Sequence, residues 1–442
     1  MRFTTEEIAR AAGGEVFGRE TEVDGVSIDS RSVRPGQLFV PIVAERDGHE
    51  FIGDAVAAGA TAYLTSGPIE AATAVRVTDT SDALTALGVH ARSRLPDRVV
   101  GITGSVGKTS VKDLLAAVAG TTWPTAAAAG SFNNELGVPL TLANAHDDTE
   151  LTVIEMGARG VGHIAHLCTV ARPTVGIVTL VAGAHLEQFG SLEGVAAAKA
   201  ELVESLPASG TAVLNADDAR VAAMADQTDA SVLTFGLGAA EVRAVSVSLG
   251  DDLRARFTIR SPWGSADVHL GAAGVQQVPN ALAAAAAALV LGADVADVAS
   301  GLAAARLSAR RMHLTTTSTG LKILDDCYNA NPTSMMAALD ALAAIPVGDG
   351  GRRVAVVGTM AELGGDATEA HRSIAAAAYE RGLHVLSVAE PRYGVEGADA
   401  ADSAQTAVER LHELGVGAGD AVLVKASRAA GLESVVTLLT EH

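Results

Sequence analysis

Disulfide chemistry is the first thing this chain of 442 residues lacks. Its two cysteines, Cys168 and Cys327, are too few for a disulfide framework and show no metal-ligand spacing. A basic surplus is also missing: 32 Lys and Arg stand against 52 Asp and Glu, a net charge of −20. Nucleic-acid surfaces concentrate Lys and Arg, so this balance argues against one. It leaves small anionic ligands open, because one lysine, one helix N-terminus and a bound metal can set a local field. There is no long apolar run either. "ALAAAAAALVL" (281–291) is the longest, 11 residues against the ~20 of a membrane span. The opening "MRFTTEEIARAAGG" holds no apolar signal core, so a cytoplasmic location without membrane insertion is the expectation. With 48% hydrophobic and 19% charged residues the composition is globular, and the length predicts two to four domains.

Residues 1–95 mix short strands with helical stretches and read as a small α/β unit. From Arg98 the pattern changes to strands alternating with helices, which predicts a mainly parallel sheet over 96–313. A β-rich stretch, 231–270, leads into the alanine-rich helix. Over 314–442, "LKILDDCYN", "RRVAVVG", "LHVLSVA" and "DAVLVKAS" read as four strands of a Rossmann-like unit.

"GITGSVGKTS" (101–110) looks like a phosphate-binding loop short of one glycine, since Ile102 stands where the usual pattern has Gly. It follows an apolar strand and opens a helix, the context such a loop requires. Gly104 and Gly107 let successive N–H groups, with Ser105 and Ser110 beside them, converge on an anion. Lys108 would meet the terminal phosphates and Thr109 a magnesium ion; the alternative is a plain glycine turn. Glu155 ends the strand "LTVIEMG", where a carboxylate is either a magnesium ligand or a solvated strand end. His185 follows the next strand, as a second candidate or a surface residue. Lys199 interrupts a helical stripe of Leu192, Val195, Leu202, Val203 and Leu206, so its stem packs or its amine acts. "DDCYNANPTSM" (325–335) is too polar for a core segment and fits a ligand site at a unit junction, or turn chemistry.

Taken together, "TGSVGKTS", "EMG", "AHLEQFGSLEGVAAAK", "LNADD" and "DDCYNANPTSM" resemble the Mur ligases, the ATP-dependent amide ligases of peptidoglycan precursors. In that family the phosphate loop lacks the early glycine. "DSRSVRPGQLFVPIVAERDGHEFI" is similar to its uridine-nucleotide-binding first domain, and "VLVKASRAAGLESVV" to its final strand and helix. "SFNNELGVPLTL" and "YNANPTSM" are similar to the branch that adds D-alanyl-D-alanine. The resemblance implies three domains: 1–95 for the UDP-linked substrate, 96–313 for ATP, 314–442 for the dipeptide. It implies that ATP activates a UDP-N-acetylmuramoyl-tripeptide carboxylate as an acyl phosphate, which the amine of D-alanyl-D-alanine attacks. Two magnesium ions are implied, one on Thr109 and Glu155, the other on His185 and a carbamylated Lys199. Asn280, Arg311 and Asp326 would face ATP, and Asn133 and Asn134 the reacting end. Asn329 and Asn331 would face the dipeptide or nucleotide; Ser30 and Arg31 are candidates for the uridine diphosphate or form a plain turn. A monomer is expected. Gln276, Gln277, Arg310, Thr359, Ala426 and Leu180 differ from the family pattern. Those at Gln276 and Thr359 motivate a rival, a related ligase joining another amine to another nucleotide-linked acid; a non-catalytic nucleotide-binding module is a second.

Overall fold

The computed structural model describes residues 1–442 except 70–71, 184–188, 362, 364–365, 396 and 442. Three α/β units follow one another along the chain. The first is built on a five-stranded sheet. Its strands Val26–Ser27, Leu38–Phe39, Ala62–Thr65 and Thr73–Arg76 are parallel, with Glu15–Phe17 antiparallel at the edge. Helix Thr5–Ala12 begins with a reciprocal cap: Thr4 Oγ1 accepts from Glu7 N, and Glu7 Oε2 accepts from Thr4 N.

The central unit carries nine strands. Seven of them, 125–127 through 242–249 in spatial order, pair in parallel, and the hairpins 242–273 extend the sheet antiparallel. Strand Val99–Thr103 lies between Val175–Val178 and Leu151–Glu155. This register explains the absent glycine: Ile102 pairs with Glu155 on one side and Ile177 on the other, fully buried. The chain is still a core strand at Ile102, and it turns only at Gly104. The greasy run 281–291 lies almost wholly within the buried helix Gln277–Val290, which packs on Lys108–Ala119. Among the described residues no helix is long and apolar enough to cross a membrane.

The C-terminal unit has a six-stranded sheet, ordered 313–316, 322–325, 421–425, 353–357, 384–388 and 400–401. The four strands read from the sequence form its parallel centre, and both edges are additional. His313–Thr316 is antiparallel and follows directly on the linker from the central unit.

Candidate active site

The loop after Val99–Thr103 is held open by two glycines for different reasons. Gly104 has φ 146°, and a Cβ there would fall 1.8 Å from Thr179 Oγ1. Gly107 has φ 91° and presses on Asn280, whose Oδ1 would lie 2.4 Å from an added Cβ. The helix Lys108–Ala119 starts at Gly107 without a side-chain cap, so its first N–H groups remain available to an anion. Lys108 Nζ donates to Gly104 O at 2.7 Å and curls over the loop. Burial and the nearby Arg311 lower its pKa, against the pull of Glu155. Ser110 is buried at the helix start.

The loop is also stapled to the next strand end. Ser105 N donates to Leu180 O (2.7 Å), Ser105 Oγ to Ala182 O (2.9 Å), and Thr179 Oγ1 to Val106 O (2.6 Å). The "LNADD" segment stands behind this staple: Asn215 Nδ2 donates to Thr179 O and Asp218 accepts from Val181 N, each at 2.8 Å. Its polar side chains brace backbone.

Oxygen atoms converge beside the helix start. Thr109 Oγ1 donates to Glu155 Oε2 at 2.7 Å and lies 2.9 Å from Ser131 Oγ. Glu155 is 1% exposed although it ends a strand, so it is not a solvated terminus. Asn133 Nδ2 donates to Glu155 Oε1 at 2.7 Å. Arg311, from the linker, donates through Nη2 to Thr109 Oγ1 and Ser131 Oγ, both at 3.0 Å. Its guanidinium carbon lies 4.2 Å from the Tyr328 ring centre, and its buried Nε has no hydrogen-bond partner among the described residues. Hydroxyl and carboxylate oxygens are what magnesium prefers, so this set fits such an ion.

Lys199 lies in helix Leu192–Glu204 and is 5% exposed. Burial, with the positive Lys108 nearby, brings its pKa down to about 7. His185 lies outside the described residues.

The remaining predicted residues divide between the site and local structure. Asn280 stays beside the loop, its Nδ2 on Gln277 Oε1 at 2.8 Å. Asn134 Oδ1 accepts from Gly137 N, closing a turn. Asn331 caps helix Pro332–Ala344 with Ser334. Asn329 is exposed. Asp326 accepts from Lys425 Nζ at 2.5 Å and Met312 N at 3.1 Å; burial raises its pKa against the pull of Lys425. Ser30 and Arg31 form a short 3-10 turn far from this cluster in sequence, with Arg31 paired to Asp29 at 2.7 Å.

Sequence reasoning missed Ser131, Thr179, Lys425 and Asp113. Asp113 Oδ2 accepts from Ser308 N at 2.7 Å, fixing the linker to the phosphate-loop helix. A carboxylate five positions past the loop lysine was the only local signal for it. Arg310, where the resemblance has glycine, takes φ 62°, the left-handed region that glycine favours, and anchors on Glu433 at 3.0 Å.

Known proteins match this arrangement over the whole chain. The profile "Mur ligase family, catalytic domain" matches residues 22–94, "Mur ligase middle domain" 102–288, and "Mur ligase, glutamate ligase domain" 310–428. The UDP-N-acetylmuramoyl-tripeptide--D-alanyl-D-alanine ligase of Mycobacterium tuberculosis is 40% identical, covering 99% of this chain and 98% of its own. The Escherichia coli protein of that name is 36% identical with the same coverage. A crystal structure of MurF from Acinetobacter baumannii superposes with a TM-score of 0.87 at 29% identity, covering 100% of this chain and 99% of its own. The Thermotoga maritima MurF ligase, solved in complex with ADP, gives 0.79 at 28%, covering 95% and 97%. By sequence and by architecture, this chain belongs to the Mur ligase family.

Proposed function

We propose that the chain is the ATP-dependent ligase that joins D-alanyl-D-alanine to a UDP-N-acetylmuramoyl-tripeptide. The observation that carries this reading is the meeting of Thr109, Ser131, Glu155 and Arg311 at the start of the phosphate-loop helix. ATP would phosphorylate the tripeptide carboxylate, breaking the β–γ phosphoanhydride and forming an acyl phosphate. The dipeptide amine then attacks the acyl carbon, loses a proton, and phosphate leaves. Two anions must approach each other in the first step. The loop N–H groups, Lys108 and Arg311 offset that repulsion and follow the charge as it moves to the leaving ADP. Thr109 and Glu155, with Ser131 beside them, would hold one magnesium ion, and His185 with a modified Lys199 a second. Bound there, magnesium would neutralise phosphate charge. Asn280 and Asp326 would border the nucleotide, and Asn133 and Asn134 the reacting carboxylate.

In this reading residues 1–95 bind the UDP-linked substrate, with Ser30 and Arg31 near the diphosphate. Residues 96–313 bind ATP, and 314–442 the dipeptide near Asn329 and Asn331. The enzyme works as a cytoplasmic monomer on small molecules. Phosphate release measured against a panel of UDP-muramoyl peptides and amines tests it. Release should require both the tripeptide and D-alanyl-D-alanine. Faster turnover with another amine, and none with this dipeptide, would leave only the ligase class standing. Lys108→Ala should abolish release in a folded protein.

A further inference from the structure

Around the carboxyl edge of the C-terminal sheet, most cations are already spent. Arg310 pairs with Glu433 at 3.0 Å, Arg392 with Glu390 at 2.5 Å, and Lys425 with Asp326 at 2.5 Å. Arg428 differs. It opens the short turn Arg428–Ala430 just past strand Ala421–Lys425 and is exposed. Among the described residues its guanidinium makes no ion pair and donates no side-chain hydrogen bond. Its one side-chain contact of note is aromatic: the guanidinium carbon lies 5.9 Å from the Tyr328 ring centre. Arg311 approaches the same ring at 4.2 Å while donating to Thr109. Tyr328 therefore spaces two guanidinium groups, one committed to the phosphate-loop site and one with no such commitment among the described residues.

The acceptor in the proposed reaction has two ends. Its amine must reach the acyl phosphate, and its terminal carboxylate must then lie within the cleft. A carboxylate that leaves water needs a cation with directional donors, and the planar fork of arginine matches it in two parallel hydrogen bonds. The two ring distances put the guanidinium groups at most about 10 Å apart. An extended dipeptide covers about 7 Å. We infer that Arg428 is the subsite for the free carboxylate of the incoming dipeptide, held in place by Tyr328. The inference rests on the proposed ligase reading. It makes Arg428 a specificity residue: the acceptor must carry a carboxylate one dipeptide away from its amine.

The test compares D-alanyl-D-alanine with its C-terminal amide in the phosphate-release assay, for the wild type, Arg428→Met and Arg428→Lys. The wild type should prefer the acid by about ten- to a hundredfold in kcat/KM, the range of a charge-assisted hydrogen-bonded pair. In Arg428→Met the KM for the dipeptide should rise by that factor and the acid-over-amide preference fall to near one. KM for ATP and for the UDP-linked substrate should not change. Arg428→Lys should keep part of the preference, because it keeps charge and loses the fork. Wild-type turnover with an undiminished preference in Arg428→Met would overturn this inference alone. No wild-type turnover of the dipeptide would remove the ligase reading, and this inference with it.

Discussion

The phosphate loop sits between two junctions that differ in their balance of apolar and polar contacts. Toward the first unit the contact is mainly apolar, crossed by Arg92 on Ala171 O at 2.7 Å and Arg94 on Asp147 at 3.1 Å. Leu84 and Leu87 of helix Thr80–Ser93 share one buried cluster with Val138 and Leu142 of the central unit. A Cβ on Gly88 would fall 2.4 Å from Pro139 Cβ, so the two helices touch at backbone distance. Asn144 adds hydrogen bonds to Val26 N and Val26 O, both at 2.9 Å. Toward the C-terminal unit polar contacts run through the linker, Asp113 on Ser308, Arg311 on Thr109 and Ser131 and Arg310 on Glu433, beside an apolar seam in which the buried Leu253 of the central unit joins Met312, Leu324 and Met335. Apolar burial has no substitute in water, whereas each polar contact can be exchanged for ligand or solvent. The first unit shares the larger apolar cluster with the centre. On the proposed reading, the C-terminal unit is the one whose approach would complete the site and keep water from an acyl phosphate.

Breaking the polar junction should cost activity and spare the fold. Arg311→Ala removes two donors and the stack on Tyr328, and it should lower kcat/KM by roughly a hundred- to a thousandfold. The thermal midpoint should stay where it is. A fall in stability that accounts for the lost activity would move Arg311 to the structural side of the comparison.

Lys199 sharpens the same side. Its pKa of about 7 means that the amine becomes neutral as pH rises through neutrality. A neutral amine can add carbon dioxide to give a carbamate, which offers oxygen to a metal. Carbamate should therefore increase from pH 6 to pH 8 with bicarbonate present, and ¹³C-labelled bicarbonate gives an NMR signal that counts it. Stability follows the same sign. The unfolded lysine keeps its proton up to its ordinary value of 10.5, so the native state gains relative stability as pH rises from about 7 toward it. Lys199→Ala should lose on the order of a hundredfold in turnover, and a small carboxylate should restore part of it. An absent carbamate signal at pH 8, with full activity, would end this idea.

What could be read from the sequence followed how local each signal was. Strand, glycine, lysine and helix are adjacent in "GITGSVGKTS", so that loop was legible residue by residue. Lys199 was visible as a break in a helical stripe, and it is buried. Ser131 carries no such mark, because it reaches Thr109 across 22 positions and Arg311 across 180. Lys425 likewise finds Asp326 99 positions away, through neighbouring parallel strands. Arg311 entered only through the family resemblance. Asn331 shows the converse: Ser334 follows three residues later, a capping pattern legible without any ligand. The C-terminal edge strands were missed because 313–316 and 400–401 are too short for a period-2 signal.

Leu87→Ala attacks the apolar junction with the first unit instead. Leu87 is fully buried, and truncating such a side chain costs about 2–5 kcal/mol. The melting temperature should drop by several degrees, while kcat and KM of the molecules that remain folded should hold. A variant that keeps its stability and loses turnover would mean that this interface also moves during the reaction.

The smallest effect belongs to Arg31, in the first unit and beyond both junctions. Its side chain is 87% exposed and its fork is closed on Asp29, through Nε at 2.9 Å and Nη2 at 2.7 Å. That pairing lowers the Asp29 carboxyl, which also caps the turn by accepting from Arg31 N. Arg31→Ala leaves this cap in place, so neither the fold nor the melting temperature should respond. If the guanidinium exchanges Asp29 for the diphosphate of the substrate, KM for the UDP-linked tripeptide should rise a few-fold at low salt. Added salt should shrink the difference, since screening weakens an exposed pair in both proteins. KM for ATP and kcat should be untouched. Equal KM values at low salt would return Ser30 and Arg31 to an ordinary surface turn and leave the diphosphate to other groups of the first unit.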